Sequence, residues 1–239
     1  MEKTPRQVAG GVMGSDSTLI NVIENFPVPA SFKEADTGKY IVNNFANSRQ
    51  FGIQNPKDLI GLTIHDVKFC QVEWGTHYAN MIAALDFHAR EKKAAVLGKH
   101  QFIDDNGEVQ YEEMTKFPVL GSQQNILGIV TYRYDHTEML SHSKLYQLYR
   151  DFYTAHESIK RVLACLNIEA SFFILPTETQ FRVFLAKAER YPNKHIAKFL
   201  GMSPRTVECH LDALRNKVVE GDLRRVLSLV KRSRPCAEN

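Results

Sequence analysis

The sequence predicts an α+β domain with a five-stranded antiparallel sheet and small helices, a coiled-coil linker helix, and an all-α domain of four helices. Three observations predict this order. Strand-like runs alternate with turn sequences over residues 18–137, residues 138–166 contain neither Gly nor Pro, and four helical patterns follow within residues 176–232. A chain of 239 residues with 44% apolar residues has the length for two domains with ordinary cores.

The amino-terminal residues 1–17 are rich in Gly, Ser and other polar residues, which predicts a flexible leader. Apolar residues then recur at helical spacing from Leu19 to Phe26. Pro27 and Pro29 end that short helix, because proline cannot continue the backbone hydrogen-bond ladder. The first domain is therefore expected to begin at residue 18.

The α+β domain, residues 18–137, begins with two predicted strands within residues 31–42, on either side of the turn sequence Asp36-Thr37-Gly38. Residues 55–61 predict one helical turn ended by Gly61. A longer helix is predicted for residues 73–93, and its candidate apolar positions are Met81, Ile82, Leu85 and Phe87.

Three longer strands complete the predicted sheet, at residues 94–103, 109–120 and 126–134. Asp105-Asn106-Gly107 predicts the first hairpin turn, and residues 121–125 predict the second loop. Glu112 and Glu113 are interpreted as a solvated strand face. Two short strands, small helices and three longer strands predict one antiparallel sheet.

The linker, residues 138–173, contains apolar residues at alternating spacings of three and four. This spacing is typical of a coiled-coil seam and favours self-association into a homodimer. The alternative is an amphipathic helix that packs on its own domain. The seam residues are Leu145, Leu148, Phe152, Ala155, Ile159, Val162 and Leu166.

The last part of the chain, residues 174–239, predicts four helices. Thr177 and Gln180 have the spacing of a capping box that opens the first helix. Ser203 is a favourable N-cap for the third helix, which follows a tight turn at Gly201. Two helices joined by a short Gly-containing turn form a helix-turn-helix. The apolar face of the second helix is predicted to consist of Ile196, Ala197, Phe199 and Leu200.

The third helix, residues 204–218, is the candidate reader of double-stranded DNA, because it would enter the major groove. Arg205, Lys217 and Lys194 supply cations for phosphates, and helix N-termini supply N–H donors. A small helical bundle with a basic face is the alternative. The candidate DNA-binding residues are Lys194, Ser203, Arg205, Thr206, Glu208, Cys209, Asp212, Arg215 and Lys217.

Charge is divided unevenly along the chain. Residues 1–173 hold 17 Lys and Arg against 20 Asp and Glu, a net charge of −3. Residues 174–239 hold 13 against 7, a net charge of +6. The asymmetry predicts a nucleic-acid or membrane-surface partner for the second part, with a solvated basic surface as the alternative.

Several classes of protein are disfavoured by the sequence. No run of eighteen apolar residues occurs and the first residues lack a signal-peptide core, so we expect a cytoplasmic protein with no membrane partner. Cys70, Cys165, Cys209 and Cys236 lie far apart, which predicts free thiols and no structural metal site. The motifs of nucleotide-binding loops, zinc hydrolases and nucleophile elbows are missing, so we expect no enzyme.

Residues 193–210 resemble the LuxR-type helix-turn-helix, and especially its FixJ-like response-regulator branch, through the run from Ser203 to His210. The resemblance covers residues 176–232 and implies a four-helix DNA-binding domain. It implies that Glu208, Cys209 and Asp212 read bases and that the fourth helix, residues 223–231, supplies a dimer contact. Many relatives carry Lys or Arg in place of the two acidic residues, which predicts weaker and salt-sensitive binding.

Residues 36–44 and 56–61 resemble the first half of a PAS sensor domain, and the fragments 117–120, 128–130 and 135–138 resemble its closing strands and exit motif. The resemblance covers residues 18–138. It implies a five-stranded antiparallel sheet, a cavity against small helices, and an exit helix that couples to output.

The ligand of such a sensor is left open by the sequence. His77 lies at a place that resembles the proximal ligand of oxygen-sensing haem PAS domains, so haem is one hypothesis. The alternatives are a histidine without a cofactor, a small-molecule ligand in the PAS cavity, or a PAS domain that binds only protein.

Together, the residues and the two resemblances predict a sequence-specific DNA-binding transcription regulator. Its PAS-like domain would sense a signal and control a dimeric helix-turn-helix output. The alternative is a signalling or interaction protein whose degenerate helix-turn-helix binds a protein partner, and the acidic Glu208 and Asp212 favour that alternative.

Overall fold

The computed structural model describes residues 13–189 and 191–232. The chain divides into two compact units. The first contains the chain up to Gly107 together with Glu112–Tyr134, and the second contains Glu108–Tyr111 and the chain from Asp135 onward. None of the described helices is both long and apolar enough to cross a bilayer.

The first unit is built on a five-stranded antiparallel sheet. Its strands are β1 (Ala30–Glu34), β2 (Tyr40–Asn43), β3 (Val96–Ile103), β4 (Val109–Leu120) and β5 (Ile126–Asp135). Their order is β2-β1-β5-β4-β3, with β1 antiparallel to both β2 and β5. Gly128 permits the close approach of β5 to β1, since a Cβ there would lie 2.3 Å from the carbonyl oxygen of Lys33. The predicted sheet is confirmed.

Three helices accompany the sheet. They are α1 (Met13–Glu24), α2 (Phe45–Gln50) and α3 (Val72–Lys92), with 3₁₀ turns at Pro56–Leu59 and Ile64–Asp66. Because α1 starts at Met13, the predicted leader is wrong for residues 13–17, and its remainder, residues 1–12, lies outside the described residues. Helix α2 has no counterpart among the predicted elements. The Asn44 side chain caps it by accepting a hydrogen bond from the Asn47 N–H.

The two faces of the sheet are covered by different elements. Ile23 of α1 packs with Phe32, Val42 and Val130 on one face. On the other face, apolar side chains of α3 pack with Phe102 and with residues of β2 and β4. Ile82 is buried there as predicted, whereas Phe87 is 58% exposed, so its assignment to the apolar positions of α3 is wrong.

The second unit is helical. Its helices are α4 (His142–Arg150), α5 (Ala155–Cys165), α6 (Glu178–Ala188), α7 (Asn193–Leu200), α8 (Pro204–Arg215) and α9 (Leu223–Arg232). The four last helices are those that the sequence predicts. The capping box at the start of α6 is formed in both directions, with Thr177 N–H donating to Gln180 Oε1 at 3.0 Å and Gln180 N–H to Thr177 Oγ1 at 3.4 Å.

The prediction of one continuous linker helix is wrong, because α4 ends at Arg150 and α5 starts at Ala155. Thr154 begins the new helix by accepting a hydrogen bond from the Glu157 N–H at 3.3 Å. The Arg150 side chain closes the turn by donating to the Tyr153 carbonyl at 2.6 Å. Thr154-x-x-Glu157 is itself a capping sequence, so a local signal for this break was present.

The predicted coiled-coil seam is also corrected, because its residues are core residues of the second unit. Leu148, Ile159 and Val162 are at most 2% exposed within a single chain, Leu145 and Leu166 are also buried, and Phe152 is partly buried. The helices α4 and α5 pack on each other and on α6. The alternative of an amphipathic segment packed on its own domain therefore describes this region.

Candidate functional site

The helix-turn-helix consists of α7, a turn and α8. Gly201 adopts a left-handed conformation with φ of 67°, which turns the chain at the end of α7. The Met202 N–H can then donate a hydrogen bond to the Ala197 carbonyl at 2.9 Å. On α8, Val207 and Leu214 are fully buried. These apolar contacts fix α8 and leave its opposite face to solvent.

The start of α8 is capped as the sequence predicts. Ser203 Oγ accepts a hydrogen bond from Thr206 N–H at 3.0 Å, and the two hydroxyl oxygens lie 2.8 Å apart. Pro204 occupies the first turn, where it costs no hydrogen bond. Ser203 and Thr206 were predicted as DNA-binding residues, and the structure gives both a capping role at the exposed N-terminus of α8.

The outer face of α8 carries two pairs of a cation and a carboxylate. Arg205 lies 3.6 Å from Glu208, and Arg215 is paired with Asp212. All four side chains are at least half exposed, with Arg205 the most exposed at 83%. Cys209 is also exposed between the two pairs. The acidic residues therefore neutralise the neighbouring cations.

The remaining predicted cations differ in their surroundings. Lys194 is exposed in the first turn of α7. Lys217 is partly buried and donates to the Leu175 carbonyl at 3.1 Å, so it holds the segment before α6 as well as carrying charge. Phe199 was predicted on the apolar face of α7, but it is 74% exposed, and that prediction is wrong.

The last helix, α9, is amphipathic. Leu223, Val226 and Val230 are buried within the second unit. Asp222 caps the helix by accepting from Arg225 N–H at 2.9 Å. Arg224 and Arg225 lie on the exposed side. The packing of α9 therefore leaves a basic surface outside the core.

The first unit contains a second candidate site, which the sequence analysis missed. Asp86 of α3 receives hydrogen bonds from two lysines of the sheet, from Lys33 Nζ at 3.0 Å and from Lys116 Nζ at 2.5 Å. Lys116 Nζ also donates to Thr131 Oγ1 at 3.1 Å. Both lysine side chains are at most 3% exposed.

A second buried group of charges adjoins this one. Arg133 donates to the Tyr78 hydroxyl at 3.0 Å and to the Asn47 side-chain oxygen. Its guanidinium lies 3.6 Å from Glu112, which is also 3.3 Å from His100 Nε2. Glu112 is 1% exposed, so the interpretation of Glu112 as part of a solvated strand face is wrong.

Burial and pairing act against each other on these groups. Burial opposes ionisation of Asp86, but the two ammonium groups outweigh it and lower the pKa of its carboxyl. Burial likewise opposes ionisation of Glu112, but Arg133 together with His100 and Gln50 outweighs it, so the pKa of Glu112 is also lowered. Burial lowers the pKa of Lys116 to about 8, because the attraction of Asp86 only partly offsets it.

The charged side chains surround a small cavity of about 10 Å³, which is roughly the room that one water molecule needs. Lys33, Lys116 and Arg133 line it together with hydroxyl and apolar side chains. An outer cleft of about 290 Å³ is lined by Lys33 and Asp86, and Lys33 borders both spaces.

The haem hypothesis does not fit these residues. His77 is exposed on α3 and does not line the inner cavity or the outer cleft. The inner cavity is also far smaller than a porphyrin. Among the described residues, no group of three or more His, Cys, Asp or Glu side chains is arranged to hold a metal ion.

Comparisons with known proteins add a fold assignment. The structure is similar to that of VqmA from Vibrio cholera in a complex with ligand and DNA, with a TM-score of 0.52 and 19% identity over 91% of this chain and 88% of that chain. It is also similar to phage VqmA in a complex with DPO, with a TM-score of 0.51 and 20% identity over 93% and 92%. No protein-family model and no curated protein matches the chain.

The first unit therefore has a PAS fold and the second contains a LuxR-type helix-turn-helix, as the sequence predicts. The match extends over nearly the whole length of both VqmA chains, so it includes both units of this chain. At these identities the likeness concerns the fold, and residue roles depend on the geometry described above.

Proposed function

We propose that this chain is a sequence-specific DNA-binding transcription regulator whose PAS unit responds to a small-molecule signal. The observation that carries the proposal is the exposed N-terminus of α8, which Ser203 caps. It is followed by a face of exposed ion pairs whose arginines could exchange a carboxylate for a phosphate. The similar VqmA structures contain DNA with a ligand, or DPO, which supports both halves of the proposal.

On DNA, the cations of the helix-turn-helix would contact phosphates. Lys194 and Arg205 are both exposed near the amino-terminal ends of their helices, where N–H groups also favour a phosphate. Arg205 would exchange Glu208 for a phosphate oxygen as α8 enters the groove. Glu208 and Asp212 would then accept hydrogen bonds from cytosine N4, with Cys209 between them.

We place the self-association of the regulator on α9 rather than on the α4–α5 segment. The side chains of the predicted seam are already used inside the second unit, whereas α9 presents exposed residues beside its buried stripe. A two-fold pair of α8 helices would contact half-sites about 34–36 Å apart.

The helix α4 is the proposed carrier of the signal, because it is attached to α6 at both ends. Tyr146 and Arg150 lie 3.3 Å and 3.4 Å from Glu178 Oε1 at the start of α6. Ser143 N–H donates to Glu189 Oε1 at 2.9 Å just after α6 ends. A shift of α4 would therefore move α6, the helix against which α8 packs. A signal can control α8 if it binds more tightly to one of the two positions of α4.

Selection of bound fragments from random genomic DNA, at low and at moderate salt, tests the proposal. We expect enrichment of a palindromic motif by the wild-type chain and weaker enrichment of the same motif in Arg205→Ala, most clearly at moderate salt. Lys99→Ala, an exposed lysine of the sheet, is the matched control and should select the same motif. Enrichment of no motif at either salt concentration would contradict the proposal.

The second candidate function is an interaction protein whose helix-turn-helix binds protein instead of DNA. The neutralised face of α8 and the exposed Phe199 favour it. The same selection separates the two functions, because a protein-binding module selects no motif. Phe199→Ser should then abolish partner binding, whereas a DNA-binding regulator should keep its motif in this variant.

A further inference from the structure

We propose that the inner cavity of the PAS unit is a binding site for a compact anion, either a free inorganic anion or the carboxylate of a small organic acid. The site lies among Lys33, Lys116 and Arg133. The inference rests on the proposed sensor role of this unit and names the chemical class of its signal.

The first argument is the charge of the interior. Three buried cations, Lys33, Lys116 and Arg133, are paired with two carboxylates, the buried Glu112 and Asp86, whose side chain is 16% exposed. The two lysines share Asp86, and Arg133 faces Glu112. One positive charge is therefore left without a carboxylate, and an uncompensated buried charge is strongly destabilising. An anion in the cavity would balance it.

The second argument is hydrogen-bond capacity. An ammonium group has three N–H donors. Lys116 uses one on Asp86 and one on Thr131, so one donor has no partner among the residues that the structure describes. The hydroxyl groups of Ser31 and Thr131 also line the cavity. An anion there would accept the free N–H of Lys116 and hydrogen bonds from hydroxyl groups.

The third argument is size and access. The inner cavity has about 10 Å³, which admits an occupant of about the size of one water molecule. Lys33 and Ile64 border both this cavity and the outer cleft of about 290 Å³. A free anion would occupy the inner cavity alone, whereas an organic acid would place its carboxylate at the lysines and its remainder in the cleft.

Burial lowers the pKa of Lys116 to about 8, so this ammonium is still mostly protonated at neutral pH. The third cation of the site is therefore present under the conditions of the test. Loss of its proton would remove the excess charge and with it the affinity for an anion.

The full-length chain is tested by thermal unfolding at constant ionic strength, with the sodium salt of MES, a bulky sulfonate, replaced stepwise by fluoride, chloride, formate, acetate or butyrate. We expect a saturable rise of the Tm with at least one of these anions. A response to fluoride or chloride identifies a free anion, and a response to formate, acetate or butyrate without one to the halides identifies the carboxylate of an organic acid. A Tm change that is linear in concentration and equal for all five anions would overturn the proposal.

Lys116→Met removes the third cation and should abolish the saturable response, whereas Lys99→Met, on the exposed side of the sheet, should retain it. If Lys116→Met does not fold, Thr131→Val is the second variant. It removes a lining hydroxyl and should raise the anion concentration at half-saturation at least tenfold. An unchanged midpoint in the folded variants would overturn the site.

The measurement needs no DNA, so the two proposals fail separately. If the Tm response is saturable but DNA selection does not change with the anion, the anion site is supported and its role as the signal is rejected. Motif selection combined with an anion-independent Tm keeps the regulator and rejects the anion site.

Discussion

The two units place the same type of ion pair in opposite surroundings. In the PAS unit, Lys116 and Asp86 meet in the interior, where the lysine side chain is 1% exposed. On α8, Arg205 and Glu208 meet at the surface and both are at least half exposed. The chemistry of the partners is similar, but the medium around them is different.

This difference decides what each pair can do. Buried charges that lose their partner cannot regain water, so breaking the interior network requires a large free energy. The network therefore fixes the position of α3 on the sheet. Exposed pairs are screened and contribute little to stability, so their cations are free to exchange a carboxylate for a phosphate. The interior network is therefore suited to hold a structure, and the surface pairs are suited to exchange partners.

The largest expected effect comes from Asp86→Asn, which leaves two buried lysines without their shared carboxylate. We expect a loss of about 3–5 kcal/mol in the free energy of unfolding. Urea titration followed by circular dichroism measures it. The matched surface change, Asp212→Asn, should alter the free energy of unfolding by less than about 0.5 kcal/mol. Equal losses in the two variants would remove the contrast between the units.

The interior network also shows where sequence patterns stop being informative. Glu112 and Lys116 flank Met114 at a spacing of two, so alternation along β4 places all three on one face of the sheet. That signal was present, but charged residues are usually solvated, and their partners are distant in sequence. Asp86 is 30 residues from Lys116, and such a pairing is visible only after folding.

The second unit was predicted more completely, because its signals are local. The capping box at Thr177 and the N-cap at Ser203 each involve residues three apart, and both are formed. The linker prediction failed for the opposite reason. Heptad spacing across Leu148 and Ile159 reports that these residues are buried, but it does not report which surface covers them. Here the helices of the same unit do so.

The second expected effect concerns pH and the interior lysine. Burial lowers the pKa of Lys116 to about 8, below the 10.5 of a free lysine, so the unfolded chain binds more protons between these values. The contribution of Lys116 to the free energy of unfolding should therefore rise from pH 8 to pH 10, by on the order of 2 kcal/mol. Urea titrations at several pH values measure this rise.

Lys116→Met isolates that contribution, because the rise should disappear in this variant while other titrations remain. Burial raises the pKa of Tyr146 and Tyr149 to about 12, above the 10 of a free tyrosine, so both act in the opposite direction near pH 10. They are present in both proteins, so their contribution cancels in the comparison. The same slope in wild type and Lys116→Met would show that Lys116 is not the group responsible.

A smaller effect is expected at the start of α8. Ser203→Ala removes the acceptor of the Thr206 N–H and should lower the free energy of unfolding by about 1 kcal/mol. Ser203→Asp retains a capping oxygen and should restore stability. It also adds a negative charge where a phosphate would bind, so DNA affinity should fall in this variant although stability recovers. Parallel changes of stability and affinity would argue against phosphate contact at this end of the helix.

The smallest effect on stability, and the sharpest test of exchange, is expected from the surface pairs. Glu208→Gln frees Arg205 without changing the shape of the side chain, so stability should stay within about 0.5 kcal/mol of wild type. Affinity for random DNA should rise, because Arg205 can contact a phosphate without first breaking its ion pair with Glu208. Arg205→Ala should instead reduce the slope of log affinity against log salt by about 0.9, the value for one phosphate contact. Fluorescence anisotropy with a labelled duplex at four salt concentrations measures both variants.

The contrary outcome is that Arg205 stays with Glu208 on DNA. Glu208→Gln would then leave the affinity for random DNA unchanged, and Arg205→Ala would leave the salt slope unchanged. The surface pair would in that case be as fixed as the buried one.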